Sequence, residues 1–509
     1  MNKKKIIIFH TLFYIFLFLT LCIFMSTLWT LQTFGQVKTD QIIFTLFSSM
    51  SGTDASVVLS WILEGLLIPV LICLIVAFIQ YKMNEKMNKK IRIMAIMIVC
   101  LSLIGSALYA DRCFGIIQYV TAINQQTDIY TKKKKKKKAE KEEEYIGDES
   151  IIYQNSGDAV ITGDNTNNLI YIYLESYENA FLDKDNGGLL DDNCLPELTQ
   201  LAKDNISFSN SEQLGGAYAF SGTTWTIASM VAQTSGLPLK NEVLNNMDQY
   251  EKFMPGAITI GDVLHKRGYV QELLIGSNQT FAGTDKLFGQ HGGYQIVDYH
   301  VLKSQGRIQS GETTDWGTND ACLLRNAKEE LNKLSATGKK FNLTMATIDC
   351  HMPNGYRCAQ CPRTFQDRYQ DIYACQSKQV SDFIHWCQQQ AWYANTTIVI
   401  VGDHPSMASS YTKFISQDYN RTTYNCIINS KISTTNMKNR TFTPMDMFPT
   451  TLAAMGFKIK GNKLALGTNL FSPLPTITEK YGIEYIEQEV QKSSEYLDKN
   501  IYQFDQQKK

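Results

Sequence analysis

Net charge is missing from this sequence: 49 lysines and arginines offset 49 aspartates and glutamates over 509 residues. Without a global field, nothing argues for nucleic acid as a partner. No internal repeat is evident, which excludes solenoids and related arrays. Cys358 and Cys361 have the C-x-x-C spacing of half a zinc site, but no second pair at matching spacing accompanies them, so a paired-knuckle zinc module is not expected. Within the long apolar stretches Glu64 is the main acid, and it lies near a boundary. That scarcity argues against transport, which needs polar groups converging within several spans.

What is present divides the chain. Residues Ile6–Leu31, Val57–Tyr81 and Ile91–Ala110 are each long and apolar enough to cross a hydrocarbon core of about 30 Å. Three membrane helices are expected. The first is read as an uncleaved anchor, because its apolar stretch exceeds that of a signal peptide and no small-residue cleavage site stands out. Lys3, Lys4 and Lys5 fall on the same membrane side as Lys82, Lys86, Lys89, Lys90 and Arg92. Basic loops favour the cytoplasm, which places the large C-terminal part outside. The run Lys132–Lys138 disagrees, but it stands about 20 residues beyond the third span, where its influence weakens. It passes into Glu140, Lys141, Glu142, Glu143 and Glu144 and reads as a solvated helix or spacer. The expected organisation is an anchor over residues 1–115, a charged linker over 116–166, a catalytic domain over 167–475 and a helical tail over 476–509. The tail reads as an exposed helix, with packing back on the domain as the alternative.

Of the twelve cysteines, Cys22, Cys73 and Cys100 fall in the spans and Cys113 just past one. Cys350, Cys358, Cys361, Cys375 and Cys387 crowd one stretch of the outer part, which in an oxidising compartment reads first as disulfides.

From Asn168 onward short apolar runs alternate with helical segments, the signature of an α/β domain around a largely parallel sheet. Leu169–Leu174, Phe341–Ile348 and Thr396–Val401 are nearly continuous in apolar or β-branched residues, as buried central strands should be. Each ends in polar groups: Glu175 and Ser176; Asp349, Cys350 and His351; Gly402, Asp403 and His404. Ligands of open α/β sheets bind beyond the carboxyl ends of the strands, so these groups are expected to converge. A fourth piece, Gly215–Val231, passes from glycine and small polar residues into a helix-compatible segment. Its threonines stand near a helix N-terminus, where they either cap the helix or face a bound phosphate.

Glu175, Asp403 and His404 make a hard ligand set with one imidazole, and a threonine oxygen can complete it. That set suits Mn²⁺, Zn²⁺ or Mg²⁺. Coordination to a divalent cation would lower the pKa of a threonine hydroxyl and aim it at an electrophile.

The segment Asn168–Ser176 resembles the opening strand and glutamate ligand of lipoteichoic acid synthases and phosphoglycerol transferases, in the alkaline phosphatase and sulfatase superfamily. Gly222-Thr223-Thr224-Trp225-Thr226-Ile227-Ala228-Ser229-Met230-Val231-Ala232 resembles the nucleophile region of the phosphoglycerol transferase I family, whose threonine maps best to Thr223, with Thr224 and Thr226 next in line. Thr347–Gly355 resembles the strand and substrate histidine, here His351, and Val401–His404 the late Asp-His metal pair. Further matches at Pro255–Ile260, Trp316-Gly317 with Asp320, and Asp446–Thr450 extend the likeness over about 300 residues of the outer part in family order.

The resemblance implies a membrane-anchored phosphotransferase with Thr223 as nucleophile and Glu175, Thr223, Asp403 and His404 as ligands of a divalent metal, manganese by family. It also implies His351 in substrate binding, a phosphatidylglycerol-like donor, an envelope glycan or glycolipid acceptor, and a multi-pass protein of a bacterial cell membrane with an extracytoplasmic catalytic domain. Ile275–Thr284 lacks the histidine, tryptophan and arginine of the polymer synthases, and Phe281-Ala282-Gly283 looks more like the glucan-modifying branch. Sulfate-ester hydrolysis is disfavoured, since Cys194-Leu195-Pro196-Glu197-Leu198 lacks the arginine of the C/S-x-P-x-R context. Phosphoethanolamine transfer, phosphodiester hydrolysis, polyglycerolphosphate synthesis and a non-enzymatic receptor or scaffold are the alternatives.

Overall fold

The computed structural model describes residues 3–35, 37–47, 55–83, 89–127, 129–130, 161–240, 251–416 and 419–504. The run Lys132–Lys138 and the acidic residues after it lie outside them. The chain falls into two compact units. In the first, helices α1 (Lys3–Phe34), α3 (Ala55–Lys82) and α4 (Lys89–Phe114) carry the long apolar runs. All three contain stretches long and apolar enough to cross a membrane: Ile8–Phe34, Ala55–Lys82 and Ile93–Phe114. Large apolar side chains such as Leu74, Phe78 and Leu101 stand exposed on these helices, the pattern expected of a lipid-facing surface. The described part of helix α2 (Thr39–Phe47), from Asp40 onward, belongs to the second unit although it lies between the first two spans in sequence.

The second unit is built on a six-stranded sheet. Its strands are β1 (Asn168–Leu174), β2 (Val270–Ile275), β3 (Gln295–Val297), β4 (Phe341–Ala346), β5 (Thr396–Gly402) and β6 (Asn425–Ile428). Their order is β6-β5-β1-β4-β2-β3. All pairings are parallel except that of β6 with β5. The continuous apolar runs explain this, because central parallel strands are covered on both faces, and every residue of β5 is buried. Tyr173 stands opposite Ala346 on one side and Val401 on the other, and Leu174 opposite Gly402. The chain therefore leaves β1, β4 and β5 at one edge.

Helices α5 (Thr226–Ser235), α6 (Asp320–Ala336) and α7 (Arg368–Gln388) belong to the same unit. The tail takes the second of its two readings and packs back on the domain. Ile486 and Val490 of α8 (Ile483–Gln491), with Leu497, Ile501 and Tyr502 beyond it, are buried in the main hydrophobic core. Their period is helical, so one apolar face docks while the Glu, Gln and Lys residues that suggested exposure cover the other. The expected disulfides are absent as well: all twelve cysteines are free thiols. Cys350 and Cys387 are instead buried singly, each behaving as a small apolar side chain.

Candidate metal and nucleophile site

The turn after β1 fixes the first candidate ligand, Glu175. Ser176 adopts a positive φ of 59°, a conformation that costs a non-glycine residue on the order of 1 kcal/mol or more. Hydrogen bonds hold it there. The Ser176 amide donates to Asp403 Oδ1 at 2.8 Å, and its hydroxyl donates to Glu175 Oε1 at 2.6 Å. The Glu175 amide donates to Thr347 Oγ1 at 2.9 Å, which ties the end of β1 to the end of β4.

The end of β5 supplies the next two candidates, Asp403 and His404. A Cβ on Gly402 would lie 1.9 Å from the Tyr177 carbonyl oxygen, so only glycine lets the two strand exits approach this closely. Asp403 then donates its amide to the Leu174 carbonyl at 3.1 Å, and its own carbonyl accepts from Ser229 Oγ of α5 at 2.5 Å. His404 Nδ1 lies 3.0 Å from the Pro405 carbonyl. A carbonyl only accepts, so the proton sits on Nδ1 and Nε2 keeps its lone pair for the cluster.

The sequence thus brings three expected residues together. Glu175, Asp403 and His404 place their ligand atoms within 4.8 Å of one another, and all three are buried. His404 Nε2 is 3.6 Å from Glu175 Oε1 and 3.4 Å from Asp403 Oδ2. Burial and the neighbouring Glu175 carboxylate push Asp403 up to about 7, against the opposing pull of His404. Burial works to neutralise His404, but the Asp403 and Glu175 carboxylates outweigh it and raise its pKa. Two buried carboxylates facing one imidazole form a site short of positive charge. Its donor chemistry fits a divalent cation.

Thr223, the expected nucleophile and ligand, is not brought to this cluster. It is fully buried, its hydroxyl donates to the Phe220 carbonyl at 2.8 Å, and it accepts from the Phe220 amide at 2.9 Å. Its oxygen closes the turn that precedes α5. Thr226 takes the place beside the ligands. As the first residue of α5 it puts Oγ1 at 3.4 Å from Glu175 Oε2 and 3.4 Å from His404 Nε2, and it is only half-buried. The helix has no side-chain cap on its first turn, so its amide hydrogens remain there for an anion. Sequence likeness cannot separate threonines three residues apart in Thr-Thr-Trp-Thr. Helix register can, because only the residue at the helix start reaches over the strand ends.

His351 follows β4 on the same edge. Its Nδ1 lies 2.8 Å from the Met352 carbonyl, and its ring packs against Trp316 with centroids 4.1 Å apart. Asp320 holds the approach to it, accepting from the amides of Ile348 at 2.7 Å and Asp349 at 3.2 Å. The turn before α5 is braced by groups with no sequence signal. Asp40 of α2 accepts from the Gly222 amide at 2.7 Å, and Phe44 packs on Trp225 with centroids 5.1 Å apart. From α8, Glu487 accepts from the Ser221 hydroxyl at 2.6 Å and its amide at 3.0 Å. These partners are distant in sequence, and no local pattern announces them.

Comparison with known proteins adds the family. Phosphoglycerol transferase I of Citrobacter koseri is 32% identical over 261 residues, which is 50% of this chain and 33% of that protein. The same enzyme of Salmonella paratyphi B gives the same identity and coverage, so the chain matches a third of the length of these relatives. Among solved structures, the lipoteichoic acid synthase LtaP from Listeria monocytogenes is 15% identical, with a TM-score of 0.48, over 64% of this chain and 79% of that one. The sulfatase family model matches residues 167–457, and by that match, which spans the whole sheet and every residue of the cluster, the chain belongs to the sulfatase family.

Proposed function

We propose that this protein transfers glycerol phosphate from a phosphatidylglycerol-like lipid to a sugar hydroxyl of an envelope glycan or glycolipid, with Thr226 as the nucleophile. The observation that carries the reading is a half-buried threonine hydroxyl at a helix N-terminus, 3.4 Å from both Glu175 and His404. Likeness to phosphoglycerol transferase I suggests the group transferred. Residues 1–115 would anchor the chain, 116–166 tether it, 167–475 carry the chemistry and 476–509 support the fold, with the catalytic part extracytoplasmic in a bacterial membrane.

Glu175, Asp403 and His404 would hold a divalent cation, manganese by family likeness, which supplies Lewis acidity and lowers the pKa of a bound hydroxyl. The Thr226 oxygen forms a bond to phosphorus as the bond to the diacylglycerol oxygen breaks, and that oxygen leaves with a proton as diacylglycerol. Amide hydrogens of the first turn of α5 face the phosphoryl oxygens. His351, packed against Trp316, binds the glycerol phosphate or relays a proton. An acceptor hydroxyl then attacks phosphorus and returns Thr226 to its free form. Anchoring donor and enzyme in one membrane raises their encounter rate without any added contact.

The test is to incubate the purified membrane protein with phosphatidylglycerol labelled in its headgroup and follow the label. Single glycerol phosphates on sugar hydroxyls are expected. Label released only as free glycerol phosphate would make the protein a hydrolase, and successive glycerol phosphates on one acceptor a polymer synthase.

A further inference from the structure

A second group of ligand-bearing side chains lies in the catalytic unit and takes no part in the chemistry above. Cys358 and Cys361 sit in the loop that leads from His351 to α7, and Cys375 sits on α7 itself. Cys358 Sγ is 3.6 Å from Cys361 Sγ and 3.7 Å from Cys375 Sγ, and all three sulfurs lie within 4.8 Å of one another. Each residue is at least nine-tenths buried. A disulfide sets two sulfurs about 2.05 Å apart. Sulfurs on a tetrahedron around Zn²⁺, with Zn–S of about 2.3 Å, stand about 3.8 Å apart. The observed spacing matches the tetrahedral edge.

The surroundings suit thiolates. The Cys361 amide donates to the Cys358 carbonyl at 3.2 Å and closes the C-x-x-C turn, with the Cys361 thiol directed at the Cys358 sulfur. Gln379 Nε2 adds a further donor, 3.3 Å from Cys375 Sγ and 3.6 Å from Cys358 Sγ, in the place of an outer-sphere partner that offsets ligand charge. A disulfide would use two of the three sulfurs and strand the third.

We infer that Cys358, Cys361 and Cys375 bind one Zn²⁺ as a structural clip, with water or the Gln379 carboxamide in the fourth position. Binding replaces up to three S–H protons, which pass to solvent. The clip would join the loop after His351 to α7, where Asp371 already accepts from the Thr364 and Phe365 amides at 3.1 Å each and pairs with Arg357. This site has no ligand in common with Glu175, Asp403 and His404, so it stands or falls apart from the proposed reaction.

The experiment is metal analysis and Co²⁺ replacement on the full-length protein purified in detergent without chelators. One zinc per chain should survive in Glu175→Gln, and replacement by Co²⁺ should give a thiolate-to-cobalt charge-transfer band in both that variant and the parent. Cys361→Ser should lose the band. Non-reducing peptide mapping on the parent protects the test against a variant that fails to fold. Two of these three cysteines found joined in a disulfide, or three titratable thiols with no cobalt band, would overturn the inference.

Discussion

At the scale of single residues, the proposed chemistry turns on which threonine stands beside Glu175 and His404. Thr226→Ala should lower kcat by at least about 10³-fold, because it removes the attacking atom while leaving the fold intact. Thr223→Ala should act on stability instead. It leaves the buried Phe220 amide without its acceptor, while the Phe220 carbonyl keeps the Thr223 amide at 2.9 Å, a cost of about 1–3 kcal/mol, read as a lower thermal midpoint with turnover retained below it. Glu175→Gln and His404→Ala should each weaken divalent-cation binding and activity together, measured by calorimetry and transfer assay on the same preparations. Undiminished turnover in metal-free protein would contradict the role given to that cluster. The gathering of Glu175, Asp403 and His404 was legible from the sequence because they follow long apolar strands, and strand ends gather at one edge. The threonine was not, because a shift of one helical turn changes no residue type in Thr-Thr-Trp-Thr and changes everything about where the hydroxyl points.

At the scale of elements, the site is a meeting of strand exits held by segments from both ends of the chain. The sheet could be read in advance from its apolar runs, since parallel strands buried on both faces carry a strong signal. The tail could not, because its apolar residues are spaced at helical period among charged ones, and only docking reveals which face is covered. Ile486, Val490, Leu497 and Ile501 are all essentially buried. At about 1.5–3 kcal/mol each, their loss is comparable with the whole stability of a domain, about 5–15 kcal/mol. A chain ending at residue 475 should therefore yield no protease-resistant catalytic domain, and recovery of a folded, stable truncation would show that the tail is dispensable. A pH effect belongs to β2 and α6. Burial, followed by the Glu330 carboxylate, pushes Glu272 from 4.5 up to about 8. The folded form therefore holds that proton more tightly than the unfolded one, so the associated stability is present below about pH 4.5 and lost as pH rises towards about 8. Relative to Glu272→Gln, the parent's thermal midpoint should fall over that interval, and parallel curves for the two proteins would refute the assignment.

At the scale of the whole molecule, family membership and cluster geometry point the same way from independent observations. The sulfatase family model covers residues 167–457, and within that span the chain gathers a buried ligand triad with a half-buried threonine against it. Three helices long and apolar enough to cross a membrane precede the span. The measurement that tests the central claim most directly is intact-mass analysis of the full-length protein incubated with phosphatidylglycerol and no acceptor, followed by peptide mapping of any adduct. The account predicts one phosphoglyceryl group on Thr226, absent from Thr226→Ala and retained in Thr223→Ala. An adduct of undiminished yield in Thr226→Ala would contradict it.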